Sequence, residues 1–193
     1  MASSTSAVDR LHFTGDNDAD ALLAREPFAL LIGFALDQQV PVQTAFAGPL
    51  KIKQRLGTIE PRRLAETDPA ALEAAFREKP AVHRFPGAMA TRVQDLARAV
   101  TDEYGGHAER IWTDAADARE LEARLHALPG FGDMKVRSTL AVLAKRFGVA
   151  LDGMNEVVPK HPTLGDVDSP EALADYQAKK RAHKAEMRAK QQT

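Results

Sequence analysis

Apolar residues recur every three or four positions along most of the chain, which is the spacing that places them on one face of an α-helix. Residues 88–104 are an example, because Ala90, Val93, Leu96 and Val100 fall on a single helical face. No stretch rich in Val, Ile, Thr or Tyr alternates with polar residues for long enough to form a convincing strand. The pattern therefore predicts an all-α fold, a bundle of about eight helices that ends in a basic helical tail.

The most apolar segment is predicted to be a central, buried helix. It runs from Phe28 to Leu36 and is apolar on most of its faces rather than on one. The run is about half of the roughly 20 residues that a membrane-spanning helix requires, so we expect no membrane partner. The predicted helix extends from Pro27 to Gln39, and Pro41 ends it.

Proline, glycine and capping residues delimit further helices along the chain. These helices cover residues 42–56 with Gly57 as the stop, residues 68–78 with the cap Asp68–Pro69, residues 88–104, a segment from Thr113 or Asp114 to His126, and a last segment after Ser169–Pro170. Residues 154–166 are predicted to be irregular. We divide the chain into an N-terminal arm (1–20), a helical domain (21–165) and a basic C-terminal helix or tail (166–193).

The composition of the chain is typical of a globular protein, but it excludes several kinds of catalytic and metal site. The 193 residues are 44% hydrophobic and 27% charged, an ordinary globular balance, and a chain of this length needs no disulfide or metal to stabilise its core. Cysteine is absent, which excludes cysteine nucleophiles, thiolate zinc sites, disulfides and a cysteine-ligated iron–sulfur cluster. The first residues lack a basic start followed by an apolar stretch, so we expect a cytoplasmic protein.

The net charge of −1 hides an asymmetry between the end of the chain and the rest. From Gln177 onward the chain has six lysines and arginines and one glutamate, a net charge of +5. The rest of the chain therefore has a net charge of −6. Such a tail adds non-specific attraction to phosphates, but a solvated surface helix has the same composition. Both interpretations of the tail stay open at this point.

The most informative segment is LPGFGDMKVRSTLAVLAKRFG, residues 128–148. Pro129, Gly130 and Gly132 break the chain, and apolar residues at helical spacing follow at once, which predicts a tight hairpin between two helices. Glycines permit close backbone approach, and the free N–H groups at the start of the second helix suit an anion such as a nucleic-acid phosphate. An ordinary turn between helices fits equally well, because Asp133 places a negative charge at that anion site.

The segment LPGFGDMKVRS resembles the helix-hairpin-helix motif of the base-excision DNA glycosylases related to endonuclease III and the alkyladenine glycosylases. In that family a catalytic aspartate follows the hairpin, and Asp152 stands 20 residues after Gly132, the family's usual interval. Residues 28–45, FALLIGFALDQQVPVQTA, are similar to the family's apolar helix and its Gln-containing turn. The resemblance covers about Leu22 to Asp152 and implies a helix-hairpin-helix DNA glycosylase-like bundle.

The resemblance implies an enzyme that acts on double-stranded DNA containing a damaged base. Such an enzyme flips the base out of the duplex at a cost of a few kcal/mol, and Gln39 occupies the position of the residue that enters the vacated space. Breaking the N-glycosidic bond builds positive charge on the sugar, which the Asp152 carboxylate would stabilise or relieve by taking a proton from the attacking water. Pro129, Gly130 and Gly132 would hold the DNA backbone near the lesion.

The family's hairpin also carries a structural ion. Three of its backbone carbonyls bind a monovalent cation, Na⁺ or K⁺, that bridges to a phosphate. By position these carbonyls would belong to His126, Leu128 and Phe131. The resemblance implies no organic cofactor, and the protein is expected to be a monomer.

Two departures from the family's pattern narrow the implied activity. Bifunctional members place a lysine two residues after the last hairpin glycine, where it forms a Schiff base with the sugar, but this chain has Met134 there. Lys135 lies one residue later, about 100° further around the helix, and is expected to meet a phosphate instead. With cysteine absent, the resemblance is to the cluster-free, monofunctional members, which leave the abasic site intact.

Three alternatives remain open. The chain could be a helix-hairpin-helix module that binds damaged DNA without cutting it, or a bifunctional glycosylase and lyase that uses Lys135. Asp152 could be the first residue of an Asp-Gly turn and nothing more. For the segment His83–Arg84–Phe85 we expect a packed phenylalanine with two solvated neighbours rather than a DNA-contacting loop.

Overall fold

The computed structural model describes residues 8–191, apart from the side chains of residues 184, 190 and 191. Within that range the chain forms helices and loops but no strand, so the predicted all-α fold is confirmed. The elements in chain order are α1 (Asn17–Arg25), α2 (Pro27–Leu36), α3 (Val42–Leu56), α4 (Pro61–Glu66), α5 (Pro69–Arg77), α6 (Pro86–Tyr104), α7 (Arg110–Thr113), α8 (Ala118–Ala127), α9 (Asp133–Arg146), α10 (Met154–Val157), the 3₁₀-helix η1 (Leu164–Asp166) and α11 (Pro170–Gln191).

The described residues form eleven α-helices, where the sequence predicted about eight. The helices that were missed are α1, α4, α7 and α10, each of nine residues or fewer, too short to show a clear apolar period. Residues 154–166, predicted to be irregular, contain α10 and η1. In addition, α2 ends three residues earlier than predicted, because Asp37 leaves the helical region with ψ near 71° and Gln39 takes a left-handed φ of 56°.

The second helix, α2, is the centre of the core. All of its residues from Phe28 to Leu36 are buried, and the helix packs against α1, α3, α6 and α9. The α2–α3 contact is close because Gly33 faces the ring of Phe46, where a β-carbon would overlap that ring. Phe46 in turn meets Phe13 edge to face at 5.0 Å between ring centroids, so the N-terminal arm is packed onto the core at this point.

The predicted hairpin joins α8 to α9. Gly130 adopts a left-handed φ of 81°, and the first backbone hydrogen bond of α9 runs from the Val136 N–H to the Gly132 carbonyl at 3.0 Å. The predicted apolar stripe of α9 is buried at Val136, Leu140 and Leu143, which fixes the hairpin against the core.

The C-terminal segments lie along α9 and return the chain to the end of α2. Gly165 of η1 packs directly on the Ala141 backbone of α9, and the Lys145 amine pairs with the Asp166 carboxylate at 2.6 Å. From there α11 runs as a largely exposed helix. In the described part of the chain no helix is both long and apolar enough to cross a membrane.

Candidate functional site

A cavity of about 1160 Å³ opens where the end of α2, the start of α9 and the middle of α11 meet. Its walls include Asp37 and Gln39 from the turn after α2, and Met134 and Lys135 from the first turn of α9. Its outer side is formed by residues 161 and 162 and by polar side chains of α11, Tyr176, Lys179, Lys180 and His183. Segments that are far apart in the sequence therefore share one cavity, which apolar and polar side chains both line.

The turn after α2 is held from two sides at Gln38. The buried ring of His83 accepts the Phe85 N–H at Nδ1 (3.0 Å) and donates from Nε2 to the Gln38 carbonyl (3.0 Å). Burial lowers the pKa of His83, which agrees with this neutral tautomer. From the other side, the Arg92 guanidinium donates to the Gln38 side-chain carbonyl. These contacts fix the backbone that carries Asp37 and Gln39.

Lys135 reaches into the same region. Its amine donates to the Ala35 carbonyl at 2.9 Å, in the last turn of α2, where carbonyls lack a partner within the helix. Burial, reinforced by the positive charge of Arg92 and opposed by Asp37, lowers the pKa of Lys135 to about 8. About a tenth of these amines are therefore neutral at pH 7. The amine of Lys135 is thus directed to the end of α2, and its expected contact with a phosphate stays a prediction.

Asp37 is the acidic residue of the cavity. Burial raises the pKa of its carboxyl, and the nearby charges of Lys180 and Lys135 oppose that rise. Among the residues that the structure describes, no hydrogen bond or ion pair reaches its carboxylate, although its backbone N–H donates to the Phe34 carbonyl at 3.2 Å. Asp37 thus presents an unpaired carboxylate to a half-enclosed space.

The hairpin borders a second, shallower cleft of about 740 Å³, which shares Met134 and Lys135 with the cavity. His126, Leu128 and Phe131, the residues whose carbonyls are implied cation ligands, all line this cleft. The Leu128 carbonyl already accepts the Phe131 N–H at 3.1 Å and keeps one lone pair free. The structure thus brings the predicted hairpin residues together, with the 73% exposed side chain of Met134 on the ridge between the two spaces.

Asp152 lies elsewhere. Its side chain is exposed, it does not line the cavity, and its carbonyl accepts the N–H of Ala118, the first residue of α8, at 2.9 Å. The hairpin follows the opposite end of α8, and ten helical residues span about 15 Å. The structure therefore does not join Asp152 to Gln39 and the hairpin, because the chain beyond α9 turns toward the start of α8.

Sequence reasoning missed several contributors to the site. No sequence motif marks Asp37 or Arg92 as a site residue, and the sequence predicts the α11 side chains only as part of a charged tail. The expectation for residues 83–85 was wrong, because His83 is buried while Phe85 is 41% exposed with the Arg84 guanidinium over its ring. The place of Asp37 in the sequence could have indicated a site residue, because Asp37 directly follows the most apolar helix and precedes Gln38–Gln39.

A family model for HhH-GPD superfamily base excision DNA repair proteins matches residues 32–146, more than half of the chain. The chain therefore belongs to the HhH-GPD superfamily, the helix-hairpin-helix DNA glycosylases of base excision repair. The matched region includes the turn after α2 and the whole hairpin, and it ends before Asp152. No curated protein and no solved structure matches the chain.

The hairpin glycines make a testable pair. A β-carbon at Gly132 would meet nothing within 4 Å and its φ of −88° suits any residue, so we expect Gly132→Ala to fold with unchanged Tm. The added methyl group lies where a phosphate must approach, and we expect duplex affinity to fall about tenfold, which is about 1.4 kcal/mol. Fluorescence anisotropy with a labelled duplex, beside a thermal melt, measures both quantities.

Gly130→Ala is the contrasting variant. Its β-carbon would come within 2.7 Å of the Arg92 side chain at a φ of 81°, so it should lose thermal stability as well as DNA affinity. Wild-type affinity in Gly132→Ala would show that the hairpin is a turn between helices with no phosphate against it.

Proposed function

We propose that this protein is a DNA glycosylase that accepts an everted damaged nucleotide of double-stranded DNA in the cavity beside α2. The observation that carries the proposal is the adjacency of the two spaces, because the hairpin cleft and the cavity share Met134 and Lys135. A DNA backbone held at the hairpin lies next to an opening large enough for a nucleoside. Gln39, exposed on its strained turn at the cavity edge, is placed to enter the space that the base leaves.

The reaction that we propose is hydrolysis of the N-glycosidic bond without cleavage of the DNA strand. The family's lysine position holds Met134, whose thioether forms no Schiff base. Lys135 is engaged with the Ala35 carbonyl, and in its charged form it suits a phosphate or a neighbouring carboxylate better than a nucleophilic role. An aspartate carboxylate would then assist the attacking water, and the product is an intact abasic site.

A second candidate function follows from one observation on Lys135. Its pKa of about 8 and its place in the cavity wall give a usable fraction of neutral amine beside the expected sugar. A neutral amine is the nucleophile of a bifunctional glycosylase and lyase. The alternative that the protein only binds damaged DNA has no comparable observation in its favour.

We also propose that a monovalent cation joins the hairpin to a phosphate. His126, Leu128 and Phe131 line the same cleft, and backbone carbonyl oxygens are the ligands that Na⁺ and K⁺ accept. The cation would neutralise part of the charge on the incoming phosphate. No side chain is required as a ligand.

Base release is the direct test. Duplexes that carry uracil, 8-oxoguanine, hypoxanthine, 5-hydroxymethyluracil or alkylated bases are incubated with excess protein and then heated in alkali, which breaks the strand at abasic sites. We expect strand breaks at one or more lesions only after the alkali step, and none in the undamaged duplex. A protein that binds these duplexes yet releases no base from the whole panel would be a binding module.

Borohydride trapping separates the two candidate reactions. We expect no covalent adduct from the wild-type protein with a damaged duplex, because no free lysine stands at the family's position. Met134→Lys restores that lysine on the exposed ridge and should produce an adduct, which makes it the positive control. A wild-type adduct that rises with pH toward 8 and disappears in Lys135→Gln would instead establish the bifunctional mechanism.

The α11 side chains that line the cavity are expected to contact phosphate. Removing residues 177–193 should weaken DNA binding, and single substitutions locate the effect more sharply. Lys180→Gln should reduce the slope of log Kd against log salt by about 0.9, the value for one phosphate contact. Arg181→Gln makes the same change of charge one residue later, away from the cavity, and should keep more of the slope. Identical slopes in all variants would assign α11 no part in binding.

A further inference from the structure

The acidic group of the cavity lies where the dipole of α2 disfavours it. Asp37 is the residue that follows the last turn of α2, next to the partly negative carboxyl end of the helix dipole. A carboxylate there repels the free carbonyls, while an amide or a cation would be accepted. The helix dipole therefore does not account for an aspartate at this position.

Two other acidic side chains of this protein, the buried Asp20 and the exposed Asp166, have evident structural partners. The Asp20 carboxylate accepts the N–H groups of Phe13 and Thr14 at 3.1 and 3.0 Å and ties the N-terminal arm to α1. Asp166 accepts from Lys145 and from Thr163. Within the described range the Asp37 carboxylate has no such partner, and the residue lines the cavity.

The surroundings of Asp37 hold its backbone in position and offset part of the effect of burial on its carboxyl. Its backbone is fixed because the next residue, Gln38, is bound by His83 and Arg92. The charges of Lys135 from α9 and Lys180 from α11 oppose the effect of burial on its pKa. Burial, together with the nearby Asp37 charge, raises the pKa of the phenol of Tyr176, which also lies in the cavity wall.

We propose that Asp37, and not Asp152, is the catalytic carboxylate of the glycosylase reaction. The inference rests on the proposed function and adds to it the group that faces the sugar. The fixed turn, the unpaired carboxylate and the shared cavity with Gln39 carry it. The turn after α2 would then carry both the catalytic carboxylate, Asp37, and the side chain that fills the space left by the base, Gln39.

The step balances without a cofactor. As the N-glycosidic bond breaks, its electron pair leaves with the base nitrogen and positive charge develops at C1′, which the carboxylate stabilises. The oxygen of a water molecule forms the new bond to C1′, and Asp37 accepts one of the water protons. The departing base takes a proton from solvent, and Asp37 later returns its proton to solvent.

The test compares Asp37→Asn with Asp152→Asn in the full-length protein. The readouts are single-turnover base release from the lesion that the wild-type protein cleaves, the duplex Kd, and Tm. We expect Asp37→Asn to lose at least 100-fold in rate, the usual contribution of such a group, with Kd within threefold and Tm equal or higher. Asp152→Asn should lose far less, and Asp102→Asn, on the exposed face of α6, serves as the unrelated control.

The possible outcomes are distinct. A rate loss at Asp152 equal to or greater than that at Asp37, or an Asp37→Asn rate within tenfold of wild type, would overturn the assignment while leaving the glycosylase function intact. A wild-type protein that releases no base would overturn the proposed function and this inference with it. If Asp37→Asn lowers Tm, Asp37→Ser repeats the measurement with a smaller side chain, and the same thresholds apply.

Discussion

The complete burial of α2 is the constraint on which the rest of the structure depends. A helix that is apolar on every face must be enclosed on every face, and α1, α3, α6 and α9 supply that enclosure. Its carboxyl end then meets the interior as well, and its free carbonyls need donors. Lys135 provides one of them for Ala35, so the first turn of α9 is drawn to the end of α2. The cavity lies at that junction.

The junction also explains why backbone strain is concentrated there. Gln39 is the one residue other than glycine with a positive φ among residues 8–191, a conformation that costs of order 1 kcal/mol or more. His83 and Arg92 hold the turn at Gln38, from loops and helices that lie 45 and 54 residues further along the chain. Strain maintained by such distant partners is typical of a turn that must present its side chains in a fixed direction.

The elements that could be predicted from the sequence are those that nearby residues determine. Helix α3 and the hairpin were predicted because glycine stops and a long apolar period mark them, whereas α7 and α10 have a single turn each and leave no period. Within the site, Gln39 and the hairpin residues carried recognisable motifs. Asp37 did not, because a single aspartate after an apolar helix has no signature. The burial of His83 depends on a contact with Gln38, which periodicity does not encode.

The position of Asp152 shows that a sequence interval alone does not place a side chain beside the hairpin. The 20 residues after Gly132 include the 14 residues of α9, which carry the chain about 21 Å from the hairpin. A carboxylate at that point reaches the hairpin again only if the next segment folds back, and here the chain joins the start of α8 instead. The segment that does return contributes residues 161 and 162 and then α11 to the cavity, and neither residue is acidic. Among the residues that line this cavity, the acidic one is Asp37, at the end of α2.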